Sequence, residues 1–280
     1  MTTDGKICNL SGFGDEIAPD METQIQVMTA LGLRYIELRG VNGKGIIDHT
    51  EQEMAQVKAT LDKASFRVSA IGSPIGKVDI QSPFQEELKR FHRAMKAAEC
   101  FETPYIRVFS YYIPEGEDPW NFEDEVLRRM AVKAKMAGEK GRILLHENES
   151  RIFGESPDRC LRILEGVHSP SLRGIFDPSN FLHKGHETYP DAWNLLKDHI
   201  VYFHIKDCDK KAKMTVPAGE GDAGFVEILR DATQRGFEGF LSLEPHLGSE
   251  RFQDMSKADR FQRAVEAIRK VAGQAGMPLS

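Results

Sequence analysis

The sequence predicts a single (β/α)8 barrel, that is, a TIM barrel as one domain over residues 1–280, and three observations carry that prediction. Eight short apolar or β-branched runs follow one another along the chain, each is succeeded by a stretch with apolar residues at helical spacing, and no GxGxxG turn follows the first run. A doubly wound open sheet shares the alternation but normally announces its nucleotide site with such a turn, which here reads "SGFGDEIAPD". Barrels of this kind use about 250 residues as one domain, and this chain of 280 shows no linker, low-complexity segment or shift in composition.

The elements follow in order. "ICNLSGF" (7–13) predicts the first strand and 21–31 its helix; "YIELR" (35–39) and 51–63 the second pair; "RVSAIGS" (67–73) and 84–100 the third. "YIRVFS" (105–110) precedes a helix over 123–137, "RILLHE" (142–147) one over 157–164, and "RGIFD" (173–177) one over 189–196. "VYFHIK" (201–206) with 225–233 and "FLSLEP" (240–245) with 259–272 complete the eight. Ser82-Pro83 and Ser156-Pro157 read as helix starts, a capping residue followed by proline at the first helical position. The near repeat of "LGLRYIEL" and "RGFEGFLSLE" is the helix-to-strand turn of a barrel unit.

Composition excludes several classes. Net charge is −6 and the 37 Lys and Arg are scattered, so no basic footprint for nucleic acid exists. Cys8, Cys100, Cys160 and Cys208 form no CxxC and read as isolated reduced thiols. The N-terminal "MTTDGKICNL" lacks a basic segment followed by an apolar one, and no window approaches the ~18 apolar residues of a membrane span. The expectation is a cytoplasmic protein with no nucleic-acid or membrane partner, in which self-association as a homo-oligomer is left open.

In such barrels chemistry sits at the C-terminal rim of the strands. Four consecutive strands deliver a metal-competent side chain there: Glu147, Asp177, His204 and Glu244, spaced 30, 27 and 40 residues apart, each about one strand-helix unit. Any one alone reads as a rim charge paired with Arg or Lys; four in register do not. Three carboxylates so close repel unless a divalent cation holds them ionised. One imidazole with three carboxylates favours Mn²⁺, Mg²⁺ or Co²⁺ and admits Zn²⁺.

With "HEN" at 146–148, "DPSN" at 177–180, "HIKD" at 204–207, "GEGD" at 219–222 and "LSLEPH" at 241–246, the whole chain resembles the xylose isomerase-like TIM-barrel superfamily. The nearest group is that of sugar phosphate isomerases and epimerases, with ketose 3-epimerases, hydroxypyruvate isomerases and inosose dehydratases. The resemblance implies that Glu147, Asp177, His204 and Glu244 bind one divalent metal ion and that Glu147 and Glu244 move protons on opposite faces of a substrate. It departs at Asn180, where those epimerases carry histidine. The same superfamily contains metal-dependent endonucleases, but strands three and four end here at Ser73 and Ser110 rather than histidine, and no Asp-x-His pair follows His204.

The expected activity is a metal-dependent isomerase or epimerase acting next to the carbonyl of a sugar, keto-sugar or sugar phosphate through an enediolate. An inosose-type dehydratase and a catalytically silent sugar-binding barrel are the alternatives. The expected partner is a small sugar or polyol, uncharged or anionic. Candidate substrate contacts are Glu37, Lys77, Arg107, Asn180, Lys206, Asp207 and His246, with Lys77 the favoured cation for a phosphate or carboxylate. Arg39, Lys77, Arg107 and Lys206 read equally as counter-charges. His246 is placed to orient Glu244, and Asn148 to orient Glu147 or touch substrate. His146 should pack beneath a helix, His183 and His186 lie away from the ligands, the glycines of "AGEGD" permit a tight loop, and Glu220 could close over the site.

Overall fold

In the computed structural model, which describes residues 7–280, eight parallel strands wind in one direction. They are β1 (Asn9–Gly12), β2 (Tyr35–Leu38), β3 (Arg67–Ile71), β4 (Tyr105–Val108), β5 (Ile143–Glu147), β6 (Leu172–Phe176), β7 (Ile200–Ile205) and β8 (Phe240–Leu243). Each hydrogen-bonds to its sequence neighbour from β2 to β8, and β8 returns to β1 with Gly12 opposite Leu243. The two edges meet at one bridge, Phe13 with Glu37, which closes the TIM barrel. The first six residues of the segment read for a leader lie outside the described residues.

Strand side chains alternate in direction. On β7 Phe203 points outward, where it packs on Phe176 and Trp193, while Tyr202 and His204 point inward. Tyr202 joins Ala70, Leu145 and Ile175 in a small apolar cluster inside the barrel. Beside it runs a chain of inward hydroxyls: Ser11 Oγ lies 2.6 Å from Ser69 Oγ, and Ser69 Oγ lies 2.8 Å from Tyr202 Oη.

The helices are α1 (Met21–Ala30), α2 (Glu51–Lys63), α3 (Phe84–Cys100), α4 (Glu123–Gly138), α5 (Pro157–Val167), α6 (Pro178–His183), α7 (Trp193–Leu196), α8 (Phe225–Gln234) and α9 (Lys257–Ala275). Thr50 and Glu53 form a reciprocal capping box on α2. Ser156 stands at the N-cap of α5 with Pro157 at its first position, as expected, without a side-chain cap bond. At α3 the expectation shifts by one: Pro83 itself is the N-cap, and the Ser82 carbonyl accepts from Arg129 Nη1.

The sixth helix also differs from expectation. Tyr189 is extended, so the helix predicted over 189–196 shrinks to α7 after a wide turn at Thr188–Ala192. An additional helix, α6, starts directly after β6 because Asp177 caps it, accepting from Asn180 N at 3.0 Å. No helix among the described residues is long and apolar enough to cross a membrane, and the four cysteines are unpaired.

Candidate metal centre and active site

The inward alternation of β5 to β8 decides what reaches the rim. Leu145 then Glu147, Ile175 then Asp177, Tyr202 then His204, and Ser242 then Glu244 are i, i+2 pairs on one face. Glu147, Asp177, His204 and Glu244 each offer a donor atom, and these atoms all lie within 4.8 Å of one another. All four residues are buried, Asp177 and His204 completely.

His204 is aimed from below. Its Nε2 lies 3.1 Å from Glu37 Oε2, which also accepts from Tyr202 Oη at 3.0 Å and Ser242 Oγ at 2.6 Å. Glu37 is fully buried beneath the imidazole, so the expected substrate contact is replaced by a supporting one. With Nε2 engaged, Nδ1 faces the cluster, 3.0 Å from Glu147 Oε1 and 3.8 Å from Glu244 Oε2. Burial would lower the imidazole pKa, but Glu147 and Glu37 outweigh it and raise it to about 10.

Three permanent cations pair with the carboxylates. Arg107 Nη1 lies 3.1 Å from Glu147 Oε2, and its other nitrogens donate to the carbonyls of Gly72 and Ser73. Lys206 Nζ lies 2.8 Å from Glu244 Oε2 and 2.9 Å from Asp177 Oδ2. Arg39 places Nη1 on Glu244, Nε on Asp15 and Nη2 on Glu16. Burial pushes the Glu147 carboxyl up, yet His204 and Arg107 prevail and hold it at about 2. At Asp177 burial outweighs Lys206 and raises the value to about 6.

Two buried atoms fit a metal ion better than they fit this network. Asp177 Oδ2 and His204 Nδ1 are both fully enclosed and make no well-aligned hydrogen bond; each has only an ion-pair contact, with Lys206 Nζ at 2.9 Å and Glu147 Oε1 at 3.0 Å. Buried polar atoms are rarely left in that state. A hard oxygen-rich donor set with one imidazole, carrying two unsatisfied donors directed at a common space, is what a divalent site requires. The cluster thus suggests a divalent metal site.

The remaining predicted residues separate. Asn180 stays at the centre, donating Nδ2 to the Asn148 carbonyl at 2.8 Å and toward Glu147 Oε1 at 3.4 Å. Asn148 exchanges two hydrogen bonds with the Asp177 backbone. His246 reaches Glu16 at 3.2 Å and Glu244 at 3.5 Å, and its pKa is raised by the Glu16 hydrogen bond. Lys77 pairs with Glu149 at 2.9 Å and lies over the Phe109 ring.

Asp207 takes no part at the rim. Its two oxygens accept from the backbone N–H groups of Cys208, Gly219, Gly221 and Ala223, so the expected substrate contact gives way to a loop staple. A Cβ on Gly221 would collide with that carboxylate and with the Cys208 carbonyl, which explains glycine there. Glu220 does not close over the site; it pairs with Arg251 and Arg263. His146 points outward, 3.0 Å from Ser110 Oγ and against Gly154, under a short helical turn at Phe153–Glu155. The sequence reading missed Tyr202, Ser242, Asp15 and Glu16. For the first two a signal existed, since each stands two residues before a ligand on the same strand face.

Among curated proteins none matches the chain. Its fold is similar to that of the IolI protein solved with a bound zinc atom, with TM-score 0.76 and 14% identity over 95% of this chain and 98% of that one. It is similar to a D-tagatose 3-epimerase-like protein, with TM-score 0.75 and 15% identity over 95% and 98%. It is also similar to the probable 3-DHS dehydratase AsbF of Bacillus anthracis, involved in petrobactin synthesis, with TM-score 0.74 and 16% identity over 94% and 98%. At these identities the likeness shows the fold alone. The family model described as the Xylose isomerase-like TIM barrel matches residues 25–272, and the chain belongs to that family.

Proposed function

We propose that the chain is a divalent-metal-dependent isomerase or epimerase that moves a proton next to the carbonyl of a sugar or keto-sugar. The observation that carries this reading is the pair of unsatisfied donors, Asp177 Oδ2 and His204 Nδ1, set between two glutamates on strands three steps apart. Glu147, Asp177, His204 and Glu244 hold the ion, with Mg²⁺, Mn²⁺ or Co²⁺ suited to the donors and Zn²⁺ admitted. When bound, the ion supplies Lewis acidity that polarises a substrate carbonyl and acidifies the neighbouring C–H.

The chain's own groups carry the proton. Glu147 Oε1 and Glu244 Oε2 lie 3.0 and 3.8 Å from His204 Nδ1. One carboxylate takes the proton from carbon; the C–H electron pair forms a C=C bond while the carbonyl π pair moves onto its oxygen, leaving an enediolate. Return of a proton at the opposite face by the other carboxyl group, which must first take one from solvent, inverts the carbon; return of the abstracted proton by the first carboxyl group to the adjacent carbon moves the carbonyl. Arg107 and Lys206 hold the two glutamates in place and limit charge build-up in a site closed to water on the barrel side. The names of the epimerase-like and dehydratase neighbours support this class of chemistry and leave loss of a β-hydroxyl as the competing outcome.

Solvent deuterium exchange into a panel of ketoses, followed by NMR, tests the reading. Exchange that disappears in Glu147→Gln and Glu244→Gln is expected; elimination of water from an inosose would place the chain with the dehydratases, and no exchange at all would favour a silent binding barrel. Elemental analysis addresses the ion separately. Bound metal should vanish from Asp177→Ala and His204→Ala, and equal content in all three proteins would sink the metal claim.

A further inference from the structure

We infer that this site takes an uncharged polyhydroxy ketone and excludes phosphate esters and carboxylates. The inference rests on the proposed sugar chemistry and adds the charge class of the substrate. It follows first from the state of the rim cations. A site for phosphate presents donors with nothing else to bind, usually an arginine fork or exposed backbone N–H groups. Here all three arms of Arg39 are occupied by Asp15, Glu16 and Glu244. Arg107 is occupied by Glu147 and two carbonyls, Lys206 by Glu244, and Lys77 by Glu149. Even His246 is engaged with Glu16.

The overall charge agrees. Six carboxylates, Asp15, Glu16, Glu37, Glu147, Asp177 and Glu244, surround three permanent cations, Arg39, Arg107 and Lys206. Lys77 and Glu149 cancel. A divalent ion among them still leaves one negative charge. A phosphate dianion therefore meets no net attraction, whereas hydroxyl groups meet an excess of acceptors.

The third observation is independent of the ion. The glycine-rich loop 217–223 is where backbone N–H groups could cradle an anion, and that cradle is already filled from inside by the Asp207 carboxylate, which accepts from Gly219, Gly221 and Ala223.

The test is saturation-transfer NMR on the metal-loaded protein with matched probes, D-fructose against D-fructose 6-phosphate and D-tagatose against D-tagatose 6-phosphate. Transfer to the free ketoses, and at least about fivefold weaker transfer to the esters, is expected. Equal or stronger transfer to either ester overturns the inference, and so does transfer to neither member of both pairs. Glu149→Gln keeps an acceptor for Ser150 N while releasing Lys77; it should strengthen binding of the esters about tenfold and leave the free sugars unchanged. Ester binding unmoved by that variant also overturns it. Deuterium exchange on the same samples separates the two claims: discrimination without exchange sinks the proton-transfer reading alone, and exchange into ketose and ester alike sinks the charge class alone.

Discussion

Glu37 Oε2 lies 3.1 Å from His204 Nε2, joining two residues 167 positions apart into one unit whose free nitrogen faces the cluster. A carboxylate behind a ligating imidazole fixes its orientation and raises its basicity, and losing it typically costs about 10- to 100-fold in metal affinity. Glu37→Gln should show a loss of that size although no ligand is removed. Competition against a fluorescent zinc chelator measures it; unchanged affinity would mean that the buried glutamate is only packing.

Lys206 supplies charge to two candidate ligands at once. Removing one partner of a buried ion pair costs about 3–5 kcal/mol because the remaining charge is stranded. Lys206→Met should therefore lower the urea midpoint of metal-stripped protein sharply, and added divalent ion should recover part of the loss. A variant as stable as the parent in the presence of chelator would show that Asp177 and Glu244 do not need this cation.

Metal uptake should release a proton. In the metal-free chain Glu147 and Glu37 overcome burial and raise the His204 pKa to about 10, so at pH 7 both ring nitrogens are protonated. The sign follows: this group stabilises the metal-free fold below its ordinary 6.5 and loses that contribution as pH rises through about 10. An ion must displace the Nδ1 proton. Calorimetry in two buffers of different ionisation enthalpy should give about one proton per ion, and a buffer-independent heat would contradict it.

His146 works in the opposite sense. Burial keeps its ring neutral, pulling the pKa from 6.5 down to about 3. Between those values the unfolded chain binds a proton that the folded chain refuses, so stability falls with pH by up to about 1.4 kcal/mol per unit. In His146→Gln that contribution is absent. The gap between the two urea midpoints should be constant above pH 7 and shift against the parent as pH drops toward 3; parallel curves would rule this out.

Much of the barrel was legible because strand and helix periods differ and because each strand ends where its apolar run gives way to a polar residue. Glu147, Asp177, His204 and Glu244 were found by that rule, and the structure brings their donor atoms together. Glu37 and Asp207 obey the same rule in sequence yet serve other ends. Which partner a buried carboxylate meets depends on strand register and loop path across the barrel: Glu37 meets β7 and β8 residues, and Asp207 meets a loop a dozen positions on. The sixth helix was misplaced because Asp177 was read only as a ligand. One oxygen of it caps α6 and the other faces the cluster, and a sequence pattern does not separate two uses of one side chain.

β1 and β2 are joined by one bridge, Phe13 with Glu37, whereas β8 meets both of its neighbours through four paired residues. The residue that completes this thin seam is the one that aims His204. The wall has a second seam of one registered pair, Ile71 with Ile106 between β3 and β4, but only the one at Phe13 and Glu37 contains the support of His204. An opening at Phe13 and Glu37 would misalign the imidazole while the three carboxylates stayed in place, so the set would lose its one nitrogen donor without any loop having moved.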